Sequence, residues 1–275
     1  MTDRFTYGVQ TDPGCIRAVN EDAFGVLAEQ GVWFVADGMG GHSGGRVASR
    51  VVTEQLSAAV ERGEDLVAAI KEAHTALVAA AEQGEGSGQM GSTVVALRSR
   101  DDAYQVAWVG DSRAYMWDGS LHQLTRDHSL VQKYLDNGNV SADSVDLNRV
   151  RNIITRCLGP ANTGLPEVDV VSGDWHAGET ILLCSDGLHG ELDDQTISEL
   201  LAGAADEDAQ SLAGKLVEAA RQAGGSDNIT VVLVPSPPGV KTRRSDVWKR
   251  LLAATVMAVA AVSLLAMVLY YFLGQ

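Results

Sequence analysis

The chain has 275 residues, long enough for one full core plus an appendage, and its 45% hydrophobic and 21% charged residues exclude a disordered chain. Its formal net charge of −15 repels nucleic acid, and no basic stripe with interleaved aromatics offsets that charge. Cys15, Cys157 and Cys184 are widely spaced with no Cys-x-x-Cys pair, which argues against a disulfide framework or a structural zinc and for a reducing compartment. The start, Met1-Thr2-Asp3-Arg4-Phe5, lacks the basic-then-apolar pattern of a signal peptide.

Phe5 to Gln10 and Ala23 to Ala28 read as strands flanking a loop that carries Arg17, Asn20, Glu21 and Asp22. The next apolar run, from Val32 to Ala36, stops at Asp37, and glycines at 38, 40, 41, 44 and 45 then let the backbone turn sharply. Val47, Val51, Val52, Leu56 and Val60 recur at helical spacing, as do Leu66, Ala69, Ile70, Ala73 and Leu77. Two amphipathic helices are predicted, the second capped by Asp65 and ended by Gly84. Ser92 to Leu97, Tyr104 to Val109, Arg113 to Trp117 and Leu121 to Leu124 predict antiparallel strands, with Asp118-Gly119 as a hairpin turn and Asp111 at a strand end.

From Ser129 to Gly159 a short helix, Leu130 to Leu135, gives way to a polar segment without periodicity, which predicts an insertion beside the site. The strand Thr180 to Cys184 stops at Ser185-Asp186-Gly187, with Cys184 a small core residue. Helical spacing then places Leu212, Leu216 and Ala219 on one face, and Asp227-Asn228 precede a last strand from Thr230 to Val234.

Pro235-Ser236-Pro237-Pro238-Gly239 cannot continue a sheet and predicts the end of a domain spanning 1–234. The linker 235–250 then carries Lys241, Arg243, Arg244, Lys249 and Arg250 against Asp246 alone. Leu251 to Leu273 is a run of 23 residues without charge. At about 1.5 Å per residue it reaches roughly 35 Å as a helix, enough for a hydrocarbon core of about 30 Å. The expectation is a single C-terminal transmembrane helix over 251–273, with Trp248 and Tyr270-Tyr271 at the two interfaces and the bases holding the domain on the cytoplasmic side of the cell membrane.

An Asp-Gly pair alone is an ordinary turn signal, but Asp37, Asp111, Asp186 and Asp227 at four strand ends predict one shared site. Carboxylates without His or Cys partners offer hard oxygen ligands, suited to magnesium or manganese. Two such ions about 3.5–4 Å apart, bridged by one carboxylate, hold a water and lower its pKa toward neutrality. The natural target of that nucleophile is a phosphoryl group, with Arg17 to complete the clamp.

Arg17-x-x-Asn20-Glu21-Asp22, Asp37-Gly38-Met39-Gly40-Gly41, Gly91-Ser92-Thr93, Val109-Gly110-Asp111-Ser112-Arg113, Leu124-Thr125-x-Asp127-His128-Ser129, Ser185-Asp186-Gly187-Leu188 and Asp227-Asn228 resemble, in order, the motifs of the metal-dependent protein phosphatases of the PP2C (PPM) family, bacterial branch. The resemblance covers residues 5–234 and implies an α+β fold, a four-layer αββα sandwich of two antiparallel sheets flanked by helices. It implies two Mn2+ or Mg2+ ions, with Asp37 bridging them and the Gly38 carbonyl, Asp186 and Asp227 as further ligands. Glu21, Asp22 and Thr93 would stand behind those ligands, Arg17 would bind phosphate, and Asp111 with Asp186 would hold a third, weaker ion found in several members. Residues 129–159 correspond to a mobile flap over the substrate, with Asp127 and His128 as ties beneath it.

Two positions depart from the family pattern. Met39 replaces the histidine that animal members carry after the Asp-Gly, and the nearby His42 reads as structural; Gly190 stands where many members have an acid toward the third ion. The activity implied is hydrolysis of phosphoserine and phosphothreonine by direct attack, without a phospho-enzyme, on phosphorylated proteins that include membrane-associated kinases and their substrates. The alternatives are a phosphatase-like sensor or binding module, which expects loss of Asp37, Asp186 or Asp227, and an aspartyl nucleophile, which expects Asp-x-Asp where Asp37-Gly38-Met39 stands.

Overall fold

The computed structural model describes residues 6–40, 44–86, 89–136, 153–159, 164–203 and 207–243. Alternating side chains make two sheets, because a strand buried on both faces sends successive residues into different cores. In β3 (Val32–Met39), Val32, Phe34 and Ala36 face one way and Trp33 and Val35 the other. The first face packs against α1 (Gly44–Glu61) and α2 (Leu66–Glu82) through Val52, Leu56, Ile70 and Leu77. The second meets Val106, Trp108, Ile181, Val232 and Val234 between the sheets. A third core joins Leu182, Val231 and Leu233 to Ile197, Leu201, Leu216 and Val217 of the helices on the far side. The order is therefore helices, sheet, sheet, helices.

One sheet contains β2 (Asp22–Leu27), β3, β5 (Val94–Arg100), β6 (Ala103–Val109) and β9 (Asp169–Asp174) in that order, with the two-residue β4 (Gly91–Ser92) on β3. The other is ordered β1 (Gly8–Asp12), β11 (Ile229–Pro235), β10 (Thr180–Cys184), β7 (Arg113–Trp117) and β8 (Leu121–Gln123). All these pairs are antiparallel. Helices α3 (Leu130–Asp136), α4 (Asp186–His189), α5 (Asp194–Gly203) and α6 (Ala209–Ala223), with a 3-10 turn at Ala28–Gln30, complete the described elements.

Local signals act where the spacing placed them. The Asp65 carboxylate accepts from Ala68 N–H and caps α2, and Asp118 with Gly119 turns the β7–β8 hairpin. The first strand lies two to three residues later than expected, at Gly8–Asp12, because its register follows β11. Strand β9 was not expected from the sequence. The start of the flap forms α3, whereas residues 137–152 lie outside the described residues, as does His42.

The chain does not leave the domain at its proline run. Ser236 N–H donates to Glu179 O, Lys241 O accepts from Ala177 N–H, and the Arg243 guanidinium reaches Asp118 at 2.6 Å and the buried Glu179 at 3.0 Å. Proline removes strand donors, not the side-chain anchors that follow. Among the described residues no helix is long and apolar enough to cross a membrane, and 251–273 lie outside them.

Candidate active site

The acids gather because antiparallel strands from both sheets end together. Asp22 and Asp37 face each other across β2 and β3, a register that brings like charges within about 5 Å at Cβ. In the second sheet Cys184 pairs with Val231 and with Arg113, so Asp186, Asp227 and Asp111 flank the same end of three adjacent strands. Asp37 and Asp186 lie close enough for each to act on the other's ionisation.

Hydrogen bonds hold the Asp37 backbone and the Asp22 and Asp227 carboxylates in place. Thr93 Oγ1 accepts from the Asp37 N–H at 3.2 Å, Thr93 N–H donates to Asp37 O at 2.8 Å, and the Thr93 hydroxyl shares a 2.7 Å hydrogen bond with the buried Ser112. Ser185 Oγ and Thr230 Oγ1 both donate to Asp22 Oδ2 at 2.7 Å. Arg17 Nη2 donates to Asp227 Oδ2 at 2.7 Å, and Asn228 N–H takes Asp227 Oδ1. Asn228 Oδ1 accepts from Glu21 N–H while its amide donates to Pro13 O and Val19 O, pinning the Arg17 loop from both sides.

Gly38 lies where only hydrogen fits: a Cβ there would come within 2.0 Å of Gly45 O and 2.7 Å of Glu21 O. The first turn of α1 therefore packs on the backbone next to Asp37. Gly110 has φ +117°, the left-handed region that favours glycine, and this turn sets Asp111 at the start of β7. Gly110 N–H donates to His128 Nδ1, so the imidazole carries its proton on Nε2 and presents it to Asp169 at 3.2 Å. Arg113 makes paired bonds to Asp127 at 2.7 to 3.1 Å. Asp127 and His128 thus tie the Asp111 turn to the flap ends; neither touches the acids.

Burial dominates the electrostatics. It pushes Asp22 up to about 7 against the pull of the Thr230 and Ser185 hydroxyls, with Asp186 and Asp227 adding repulsion. Burial and then the neighbouring Asp22, Asp186, Asp111 and Asp227 hold Asp37 well above the carboxylate range. Asp111 rises to about 7 through burial and Asp186, and Asp186 to about 6 through burial and Asp227. Arg17 is raised by its bond and charge attraction to Asp227, with weaker pulls from Asp186 and Glu21. Burial also pushes Cys184 up to about 12, leaving it an inert core thiol.

Among the described residues no set of three or more His, Cys, Asp or Glu groups stands as a ready-made chelate. The fit to divalent ions rests on two other observations. Asp22 Oδ1 and Asp111 Oδ1 are buried without a hydrogen-bond partner, an expensive state that a cation relieves. The repelling donors are also all hard oxygens, and hard ions of this kind keep several waters in their shell.

Arg17, Asp22, Asp37, Asp111, Asp186 and Asp227 are brought together; Thr93 lies behind Asp37, and Glu21 adjoins Arg17. Sequence reasoning did not single out Ser112, Ser185, Thr230 or Asn228. A hydroxyl at position 230, on a strand otherwise apolar from Ile229 to Val234, is the one signal that could have found this set.

A model of the family "Protein phosphatase 2C" matches residues 17–229. The serine/threonine protein phosphatase PstP of Mycobacterium tuberculosis is 36% identical over 234 residues, 82% of this chain; the chain spans only 44% of that relative's length. The serine/threonine phosphatase stp of Listeria monocytogenes is also 36% identical, and here the match covers 93% of the relative. The crystal structure of the PstP catalytic domain with two manganese ions superposes with a TM-score of 0.73 at 32% identity, covering 84% of this chain and 97% of that one.

Proposed function

This chain belongs to the protein phosphatase 2C family, and on that premise we propose that it removes phosphate from phosphoserine and phosphothreonine in proteins. The observation that carries the reading is the convergence of the half-buried Asp22, Asp37 and Asp186, with Asp227 and Arg17 at the rim. Such a set repels itself unless cations join it. Asp37, the Gly38 carbonyl, Asp186 and Asp227 would hold two manganese or magnesium ions. When bound, these ions neutralise the phosphoryl oxygens and acidify the attacking water.

The chain's own residues do the positioning. Thr93 and Ser112 fix the backbone and orientation of Asp37. Ser185 and Thr230 hold Asp22 behind it. Arg17 is half exposed, and its planar fork can turn from Asp227 to the substrate phosphate, a geometry that suits bidentate recognition. The full acid set argues against a binding module without catalysis. Met39 stands where an Asp-x-Asp pair would place its second aspartate, which argues against a covalent aspartyl route.

The chain should hydrolyse a phosphothreonine peptide with Mn2+ and stop when a chelator is added. Activity undiminished in chelator would sink the metal-dependent reading. The proposal extends to location: five bases between Lys241 and Arg250, followed by 23 uncharged residues from Leu251, support a single membrane crossing with the domain on the cytoplasmic side, near membrane-bound kinases and their substrates. Fractionation of cells that make this chain checks it, and recovery wholly in the soluble fraction would refute the anchor.

A further inference from the structure

The sheet face that α1 and α2 cover is left open near the β5–β6 turn, where Arg100, Ala103, Ser172 and Asp174 are exposed. Arg98 and Arg100 lie on the same face of β5 as the core residues Val94 and Ala96, about 7 Å apart along the strand. The register sets two rungs across three strands: Arg98 opposes Gln105, which opposes Ser172, and Arg100 opposes Ala103, which opposes Asp174. With Tyr104 and Gly173 these residues line an open groove of about 540 Å³. Its first rung is a row of three donor groups, a guanidinium, an amide and a hydroxyl. In the second, the small Ala103 leaves a gap beside Arg100.

The two guanidiniums have no local counter-charge. Elsewhere in this acidic chain guanidiniums meet carboxylates, as Arg50 meets Glu54 and Arg62 meets Glu72. Among the described residues Arg98 and Arg100 have no such partner. Arg98 Nη2 donates to the Glu64 carbonyl at 2.6 Å, and Asp174 stands two strands from Arg100, their backbones roughly 10 Å apart. Burial and then the charge of Arg100 hold the Arg98 pKa down, against a weaker pull from Asp65. An anion between the two guanidiniums relieves that repulsion.

The groove adjoins the path by which the chain leaves the domain. Asp101 and Asp102, in the β5–β6 turn, line a cavity with Pro237, Pro238 and Lys241, and Asp102 O accepts from Trp175 N–H just past β9. Eight residues beyond Arg243 the uncharged run begins at Leu251, a reach of at most roughly 29 Å. On the anchor reading this end of the domain stays close to lipid headgroups, whose phosphates are the fixed anions there.

We propose that this groove takes the phosphate of an anionic phospholipid headgroup between Arg98 and Arg100, with Gln105 and Ser172 as further donors. The proposal rests on the anchor reading, not on the phosphatase chemistry, and adds to it a side on which the domain lies against the bilayer. Arginine suits the task, because its planar fork matches phosphate oxygens in pairs. An open groove bearing two bases fits a charged surface better than a small molecule, which needs walls around most of its area. The attraction acts within a Debye length, so the contact weakens as salt is added.

The experiment reconstitutes the full chain in vesicles of phosphatidylcholine, alone or mixed with phosphatidylglycerol, and follows the modification of single arginines by phenylglyoxal with mass spectrometry. Phosphatidylglycerol should slow the reaction of Arg100 by roughly fivefold, the scale of one base at an anionic surface, and added salt should remove the difference. Arg50, exposed on the first half of α1, should change little. Ala103→Glu sets a carboxylate beside Arg100 and should bring the ratio of the two rates near one. Equal slowing of Arg50 and Arg100 overturns the proposal, as does slowing of Arg100 that persists in Ala103→Glu. Inorganic phosphate that slows Arg100 as much in phosphatidylcholine alone overturns the lipid as the source of the anion. A chain that does not float with phosphatidylcholine vesicles refutes the anchor, and this proposal with it.

Discussion

At the scale of residues, the site is a set of carboxyl groups whose burial and mutual repulsion are relieved by protons or by cations. Free of metal, Asp22, Asp111 and Asp186 titrate at about 7, about 7 and about 6, against an ordinary 3.8 in an unfolded chain. Their folded values are raised, so the stability they contribute is complete below pH 3.8 and is lost as pH rises through 6 to 7. In chelator, the melting temperature should therefore fall between pH 5 and pH 8, and Mn2+ should raise it more at pH 8, where it need not displace protons. Equal shifts at both pH values in thermal melts would count against this account. Asp37→Asn or Asp227→Asn should lower kcat by at least about 100-fold, whereas Arg17→Ala should act mainly on KM; steady-state kinetics on one phosphopeptide separates the two.

At the scale of elements, what the sequence announced is what local chemistry controls. A strand that stops at an acid and a glycine is visible in Val35-Ala36-Asp37-Gly38, and a capped helix is visible at Asp65. Replacing Asp65 by alanine removes the acceptor for Ala68 N–H and should cost about 1 kcal/mol, read as a lower midpoint in urea with unchanged slope. Strand β9 was not legible: Asp169-Val170-Val171-Ser172-Gly173-Asp174 is short, polar at both ends and apolar only at its two valines, and it becomes a strand only because β6 offers it an edge. Ser185 and Thr230 were nearly silent. Their hydroxyls meet Asp22 across 163 and 208 residues of chain, and only the polar residue in the otherwise apolar run Ile229 to Val234 hints at that meeting.

At the scale of the whole molecule, the four layers were foreseeable from periodicity only in part: it gave the amphipathic helices, while the pairing of β1 with β11, which brings the Arg17 loop to Asp227, is a closure of the two ends of the domain. The same closure continues past Pro235. Arg243 covers Glu179, which is 3% exposed, and joins it to Asp118. Arg243→Ala leaves that buried carboxylate short of its cation and should destabilise the domain by about 1–3 kcal/mol with little change in kcat, measured by denaturant unfolding alongside turnover. A change in kcat as large as that of Asp37→Asn would contradict the separation of this contact from the chemistry.

That separation has a spatial meaning. The strands β7, β10 and β11 carry Asp111, Asp186 and Asp227 at one end, while Asp118, Glu179 and Pro235 lie at the other, roughly 20 Å away at about 3.4 Å per residue. Arg243, the last described residue, is thus clamped at the end of the strands opposite the acid cluster. If the residues after Arg243 anchor the chain as proposed, the acids at Asp111, Asp186 and Asp227 face away from that attachment, as a lamp on a post faces away from the ground.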